Sequence, residues 1–392
     1  LNPETSKMPM TVLIYCQHVL GIGHLFRTLE IARALRGHRV VLVLGGPPVT
    51  VPMPSHVRTV QLPGLEMDAA FSALLPVDRA MELETVKRQR RDQLLRIAGE
   101  LQPDVLLIEL FPFGRNNFSF ELLPLLEAVR GSRMPRCRVV SSVRDILVEK
   151  QDPRKFEQRV IDRLNRLFDA VLVHGDPAVI SLDQTFSRME DIRIPVVYTG
   201  YVCRRASRDE GRRLRLELGL GAGEKLLVAS AGSGSVGHPL LLAAVQAVRH
   251  LAFPSRLYVF TGPYMDAGKV AELRRQAPAN VVIERFAENF PLWLAAADLS
   301  LSMGGYNTTM DVLASGTPGL IYPFSQNREQ RLRVEHLARI AGLGLLEDRQ
   351  LDPPLLAGQI RLLLGSKPHR PRVRLDGAEF TGKWLEQWIR AK

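Results

Sequence analysis

The sequence predicts an α/β chain of two domains, each a parallel sheet with helices on both faces, the two sheets facing across a cleft. Three observations predict it. Short apolar strand patterns alternate with helical stretches along the chain, and such strands pack as a buried parallel sheet. The alternation restarts near residue 202, at a polar run, Cys203-Arg204-Arg205-Ala206-Ser207-Arg208-Asp209-Glu210, that reads as a linker. A small-residue turn follows the first strand of each half, at Gly21-Ile22-Gly23-His24 and at Ser230-Ala231-Gly232-Ser233-Gly234-Ser235-Val236-Gly237. The carboxyl ends of strands are where open α/β sheets bind ligands. With 392 residues the chain can bury two such cores.

Taken in order, residues 12–16 are a strand, and residues 24–35 a helix with Leu25, Leu29 and Ala32 on one side. Residues 39–44 are the next strand, ended by Gly45-Gly46-Pro47-Pro48. Strands follow at 104–108, 138–142, 170–173 and 195–198, with helices at 78–101 and 153–168. The second half carries strands at 225–230, 257–261, 281–284, 299–302, 319–322 and 344–346. Residues 377–390 form a terminal helix with Phe380, Trp384 and Trp388 on one face. This gives a Rossmann-like domain over 1–201, a second over 202–370, and a helical tail over 371–392. The halves share an alternation and no sequence repeat.

Composition narrows the class. Hydrophobic residues make up 46% and charged residues 24%, as in a soluble globular protein. No run of about 18 apolar residues predicts a membrane span, and residues 1–10 lack the apolar core of a secretory signal. Cys16, Cys137 and Cys203 are widely spaced and odd in number, which fits reduced thiols in a cytoplasm and no metal site. The net charge is +11, of which residues 1–200 carry +3 and residues 201–392 carry +8. Lys87, Arg88, Arg90, Arg91 and Arg96 on the 78–101 helix, and the basic segment 361–374, suit either an anionic membrane surface or ordinary solvated faces. No recognition motif or basic–aromatic interleaving points to nucleic acid.

The densest chemistry lies in residues 303–330, where Met303-Gly304-Gly305-Tyr306-Asn307-Thr308-Thr309-Met310-Asp311 leads through Ser315-Gly316-Thr317-Pro318 to Tyr322-Pro323-Phe324 and Arg328-Glu329-Gln330. This reads as a strand end, a glycine turn, a helix, a strand and a second helix. Gly304 and Gly305 let backbone approach an anion. Asn307 or Thr308 can cap the helix, whose free N–H groups and positive end suit a diphosphate. Asp311, about one turn in, is placed for ribose hydroxyls, and Glu329 and Gln330 for sugar hydroxyls. Ser233 and Gly234 offer a second phosphate loop ahead of His238-Pro239. Phe286, in Glu284-Arg285-Phe286-Ala287-Glu288-Asn289-Phe290-Pro291, follows another strand, and a place in the core is one reading of it.

In the first half, His24 opens a helix, where a neutral imidazole can accept a proton; His18 is a second candidate. Glu109 and Arg115 end one strand, Arg144 and Asp145 another. Asp145 or Glu109 can activate a hydroxyl or orient His24; Arg115 and Arg144, with the Gly23 loop, can receive an acidic acceptor. Each carboxylate–arginine set also fits a plain ion pair between loops. His174, in His174-Gly175-Asp176-Pro177, either faces an acceptor or is structural.

Residues 281–345, and less closely 12–36 and 226–250, resemble glycosyltransferases with two Rossmann-like domains, the GT-B group, and among them the MurG type. The resemblance implies an inverting transferase using a nucleoside-diphosphate sugar, above all a UDP-sugar, with no further cofactor and no metal. It implies donor contacts from Ser233, Gly234, Phe286, Gly304, Gly305, Asn307, Thr308, Asp311, Glu329 and Gln330, an acceptor near His24, lipid-linked or otherwise, and a last helix returning to the first domain. It implies a cytoplasmic chain with a peripheral contact at the inner membrane face. The chain departs from the pattern in its shortened first glycine loop and in Arg27, where related enzymes often place proline. Two other readings stay open: a UDP-sugar 2-epimerase or nucleotide-sugar hydrolase, and a non-catalytic nucleotide-sugar-binding scaffold.

Overall fold

The computed structural model describes residues 9–18, 23–49, 51–68, 73–134, 137–234, 236–326, 328–366 and 372–391. The chain divides into two compact units, the first of Leu1–Pro177, Ser181–Val202 and Asp376–Lys392, the second of Ala178–Ile180 and Cys203–Leu375.

The first unit runs β1 (Thr11–Cys16), α1 (Gly23–Ala34), β2 (Arg39–Leu44), β3 (Val57–Gln61), β4 (Leu65–Met67), β5 (Leu74–Pro76), α2 (Leu83–Leu101), β6 (Val105–Glu109), α3 (Ser119–Ala128), β7 (Arg138–Arg144), α4 (Pro153–Leu167), β8 (Ala170–His174) and β9 (Val196–Tyr198). Seven strands form one parallel sheet in the order β3-β2-β1-β6-β7-β8-β9, while β4 and β5 make a small antiparallel pair. Successive side chains of a strand face opposite ways. Accordingly Leu13, Tyr15, Leu106 and Ile108 enter one core layer, and Val12, Ile14, Val105 and Leu107 the other. Fully burying such a side chain is worth about 1.5–3 kcal/mol, so both sheet faces hold their helices firmly.

The second unit runs α5 (Arg208–Glu217), β10 (Lys225–Ser230), α6 (His238–Ala247), β11 (Ser255–Phe260), α7 (Ala267–Gln276), β12 (Val281–Glu284), α8 (Phe290–Ala296), β13 (Leu299–Met303), α9 (Tyr306–Ser315), β14 (Gly319–Tyr322), α10 (Arg328–Ala341), β15 (Gly344–Leu345) and α11 (Pro353–Leu364). Its six strands are parallel in the order β12-β11-β10-β13-β14-β15. The sheet therefore seats β10, β13 and β14 side by side, and with them the loops that follow.

The last helix, α12 (Gly377–Arg390), belongs to the first unit and lies on α1. Glycines make that approach: a Cβ on Gly377 would stand 2.3 Å from the Gly200 carbonyl, and one on Gly382 3.1 Å from that of Ala34. Trp384 and Trp388 stack at 4.7 Å, with the Arg138 guanidinium 5.3 Å from the Trp388 ring. These tryptophans pack. Glu386 meets His38 Nε2 at 3.0 Å.

Several elements differ from the sequence reading. The helix expected from residue 78 begins at Leu83; Asp78 instead bonds the Ala80 amide in a turn. Arg90 is not a surface charge. It is fully buried, donating to both Glu121 oxygens, to Gln17 Oε1 and to the Gly45 and Pro63 carbonyls. The polar run read as a linker already contains the start of α5, where Ser207 and Glu210 form a reciprocal capping box. Strand β3 escaped notice because only Val57 in it is fully buried, leaving no apolar run. Among the described residues, no helix is long and apolar enough to cross a membrane.

Candidate functional site

In the second unit the candidate site is built mainly of backbone. After β10 the chain turns through Gly232 (φ +66°), Gly234 (φ +89°) and Gly237 (φ +106°), a region that disfavours side chains. Gly234 is also sterically required: a Cβ there would stand 2.3 Å from the Thr261 carbonyl. Gly237 then opens α6 with no side-chain cap. Of this loop Ser233 is exposed and Gly234 buried, while Ser235 lies outside the described residues.

The turn after β13 has the same character. A Cβ on Gly304 would stand 3.1 Å from Pro323 Cα and 3.4 Å from Gln330 Cβ, whereas one on Gly305 would meet nothing within 4 Å. Gly305 caps α9 with its backbone alone, and the helix begins at Tyr306. This corrects the expected cap at Asn307 or Thr308, which instead occupy the first helical turn, half-buried. The helix starts earlier because Gly305 itself takes the extended cap conformation (φ −65°, ψ 146°). Gly305 thus makes no side-chain cap bond to the first turn of α9, where a Ser or Asp would.

The remaining second-unit candidates are distributed around these turns. Glu329 and Gln330 lie in the first turn of α10, and Gln330 Oε1 accepts from the Phe324 amide at 3.0 Å, bracing the turn after β14. Phe286 is 46% exposed, which excludes the core reading. Asp311 is buried, and its carboxylate receives the Arg204 backbone N–H at 2.8 Å, Nε at 3.0 Å and Nη2 at 2.5 Å. Burial pushes this carboxyl up, against the opposing pull of Arg204. Any ribose hydroxyl at Asp311 would share it with Arg204, a residue the sequence reading missed. The two are 107 positions apart, so no local pattern links them.

In the first unit the candidate site is built of charge. β1 and β6 are neighbours, so the end of β6 meets the start of α1. His24 Nδ1 lies 2.6 Å from Glu109 Oε1. A carboxylate only accepts, so Nδ1 carries the hydrogen. Arg27 Nη2 donates to the same oxygen and lies 3.3 Å from His24 Nδ1. Arg115 Nε stands 4.0 Å from Glu109 Oε2. Glu109 is 1% and Arg27 3% exposed, against 20% for His24. Burial, opposed by Glu109 and reinforced by Arg115 and Arg27, lowers the His24 pKa to about 4. For Glu109, burial is overcome by His24, Arg27 and Arg115, and the pKa falls to about 2.

Of the two carboxylates considered as orienters, Glu109 is the one bonded to His24. Asp145 is fully buried, accepts from the Ile146 amide at 3.0 Å, and has the Gly175 backbone against its Cβ. Arg144 ends β7, half-buried. His174 bridges Ser142 at 2.7 Å and Thr199 at 2.9 Å in full burial, which is a structural role. His18 Nε2 lies 2.8 Å from the Pro47 carbonyl. Gly23 is the first residue of α1; Gly21 and Ile22 lie outside the described residues. The thiols of Cys16 and Cys137 are both pushed up to about 12, burial first, and are inert.

Residues 232–373 match the glycosyltransferase family 28 C-terminal domain. An uncharacterized glycosyltransferase of Methanosarcina mazei is 29% identical over 138 residues, 33% of this chain and 35% of that one, so the chain aligns with about a third of that relative's length. The UDP-N-acetylglucosamine–N-acetylmuramyl-(pentapeptide) pyrophosphoryl-undecaprenol N-acetylglucosamine transferase of Acidothermus cellulolyticus is 26% identical over 94% of this chain and 96% of its own. Among solved structures, the calicheamicin glycosyltransferase CalG4 superposes with a TM-score of 0.57 at 16% identity, covering 96% of this chain and 94% of that one. Acinetobacter baumannii MurG superposes at 0.55 and 15% identity, covering 98% and 100%.

Two parallel α/β units give the chain the GT-B fold of the glycosyltransferases it superposes on, and residues 232–373 match the family 28 C-terminal domain. Within that class it is MurG-like, with a family 28 C-terminal domain in its second unit.

Proposed function

We propose that the chain is an inverting glycosyltransferase that moves a hexose or N-acetylhexosamine from a nucleoside-diphosphate sugar, a UDP-sugar above all, to an acceptor hydroxyl. The observation that carries this reading is the set of glycine-bearing ends on β10 and β13, with the Glu329-Gln330 turn after β14, inside the matched domain. The second unit takes the donor: Ser233, Gly234, Gly304 and Gly305 meet the diphosphate, with Asn307 and Thr308 in the first turn of α9. Phe286 packs on the base, Asp311 meets the ribose, and Glu329 and Gln330 the sugar.

The first unit takes the acceptor, near Gly23, Arg115 and Arg144, and supplies the base. His24 Nε2 has no hydrogen-bond partner among the described residues, since Nδ1 is the atom on Glu109. It accepts the acceptor proton as the hydroxyl oxygen attacks the anomeric carbon. The bond to the diphosphate oxygen breaks on the opposite face, and the nucleoside diphosphate leaves. Backbone N–H groups at the starts of α6 and α9 stabilise the charge that develops there. The His24–Glu109 contact favours catalysis over the scaffold reading. A lipid-linked acceptor is the first to screen, given the activity named for the Acidothermus relative.

Calorimetry with UDP, UDP-N-acetylglucosamine, UDP-glucose, TDP and GDP tests the donor half. One nucleotide should bind clearly more tightly than the rest, and Asp311→Asn should weaken it by at least about tenfold. Folded protein that binds none of them would sink the reading. Turnover of a UDP-sugar as the 2-epimer, without acceptor, would select the epimerase instead.

A further inference from the structure

Arg27 lies one turn after His24 on α1, on the same side of the helix. Its guanidinium reaches the one Glu109 oxygen that His24 also uses. We propose that Arg27 is a positioning residue for His24: by sharing Glu109 Oε1 it helps keep the imidazole neutral, while Glu109 holds the Nδ1–H tautomer with Nε2 turned to acceptance of a hydroxyl proton. The inference rests on the reading of His24 as the base and names what sets that base.

The electrostatic argument starts from what a carboxylate alone does. A carboxylate at 2.6 Å favours the imidazolium, so a His–Glu pair by itself has a raised pKa and is less often neutral near pH 7. Burial reverses this first, and Arg115 and then Arg27, which match the carboxylate charge, add to it against Glu109. The groups facing the cluster come from several elements. Glu109 comes from β6, Arg27 from α1, and Arg115 from the turn after β6. Cys16 at the end of β1 stays a thiol. His174 at the end of β8 stays neutral, its pKa lowered to about 3 by burial and then by Arg27, with Glu109 opposing. Protonated His24 would be a third cation around one buried carboxylate.

Geometry then does the orienting. Arg27 approaches His24 Nδ1 to 3.3 Å. Both groups donate to Oε1, so the ring can keep this position only with its hydrogen directed at Glu109. The Nε2–H tautomer would set the Nδ1 lone pair against the carboxylate. The guanidinium, 3% exposed, makes both contacts through Nη2.

The test is a histidine NMR titration of the full chain, labelled on its nine histidines, with the His24 signal identified by its loss in His24→Gln. Wild type should titrate near pH 4 with the Nδ1–H tautomer. Arg27→Met should raise the midpoint and keep the Nδ1–H tautomer that Glu109 sets. Arg27→Lys, which keeps the charge, should hold the low midpoint. An unchanged midpoint in folded Arg27→Met overturns the inference, as does a wild-type His24 that titrates at its ordinary value. A parallel assay follows release of UDP from UDP-N-acetylglucosamine with water as acceptor. If the midpoints move as stated and His24→Gln releases UDP at the wild-type rate, the base reading alone is overturned.

Discussion

The two units use the same architecture to build opposite kinds of site. In the second, the turns proposed for the donor are vacated: Gly232, Gly234, Gly237, Gly304 and Gly305 carry no side chains, and the helices behind them start on bare backbone. In the first, a strand end is crowded with charge, as His24, Arg27 and Arg115 converge on the Glu109 carboxylate. The difference follows from the tasks proposed. A diphosphate carries its own charge and needs close, fixed N–H donors. A hydroxyl is weakly acidic and needs a base whose protonation is set by its neighbours.

The largest expected effect breaks the backbone site. Gly234→Val places a β-branched side chain at φ +89° and directs its Cβ at the Thr261 carbonyl. Strain of this kind costs about 1–3 kcal/mol before the clash is counted. The loop must shift, and UDP affinity should fall by a factor of about 100 or more. Gly305→Ala is the contrast, because nothing lies within 4 Å of its Cβ and its φ is −65°. Because Gly305 caps α9, a loss at an unchanged unfolding midpoint is the one that reports on ligand contact. Equal nucleotide affinity in Gly234→Val and wild type would remove this loop from the donor site.

Breaking the charged site should be smaller for binding and large for turnover. Glu109→Gln leaves donor affinity unchanged and lowers transfer by roughly 10²–10⁴-fold, the range of an impaired general base. It should also lower stability at neutral pH by about 3–5 kcal/mol, since Arg27 stays buried without its carboxylate. The pH dependence has a definite sign. Glu109 has a folded value of about 2, below its ordinary 4.5, so its stabilisation is complete above pH 4.5 and is lost as pH falls through 2. His24 has a folded value of about 4, below its ordinary 6.5. The unfolded chain therefore binds the proton first, and stability declines as pH falls from 6.5 to 4. Urea unfolding at pH 7, 5.5 and 4 should show that decline in wild type and a weaker one in His24→Gln.

How much was legible follows the same division. The second-unit site could be read along the sequence because glycines, a short helix and the Glu329-Gln330 pair lie within 27 residues of one another. Backbone demands leave a local trace in residue type. The first-unit site could not be read that way. His24 and Glu109 are 85 positions apart, and only the adjacency of β1 and β6 selects Glu109 over Asp145. Arg27 was visible as a departure from the family pattern, yet its role depends on a carboxylate from another strand. Arg204 and Arg90 show the same limit. Each is a basic residue in a polar run whose partners, Asp311 and Glu121, are fixed by tertiary packing alone.

The smallest expected effect sharpens the comparison at a position that belongs to neither pattern. Phe286 follows β12, beyond the glycine loops, and leaves 46% of its surface in solvent. An exposed aromatic ring is a poor stabiliser, so Phe286→Ala should leave the unfolding midpoint close to wild type. Stacking of a nucleobase on an aromatic side chain is worth about 1–3 kcal/mol. The same substitution should therefore weaken UDP binding by roughly 5- to 150-fold, while Phe286→Tyr, which keeps the ring face, should restore it. The loss should appear for UDP and be absent for inorganic diphosphate, which has no base to stack. Equal weakening of both ligands would show that the ring only supports the loop after β12, and base selection would then have to come from backbone atoms of residues 284–288.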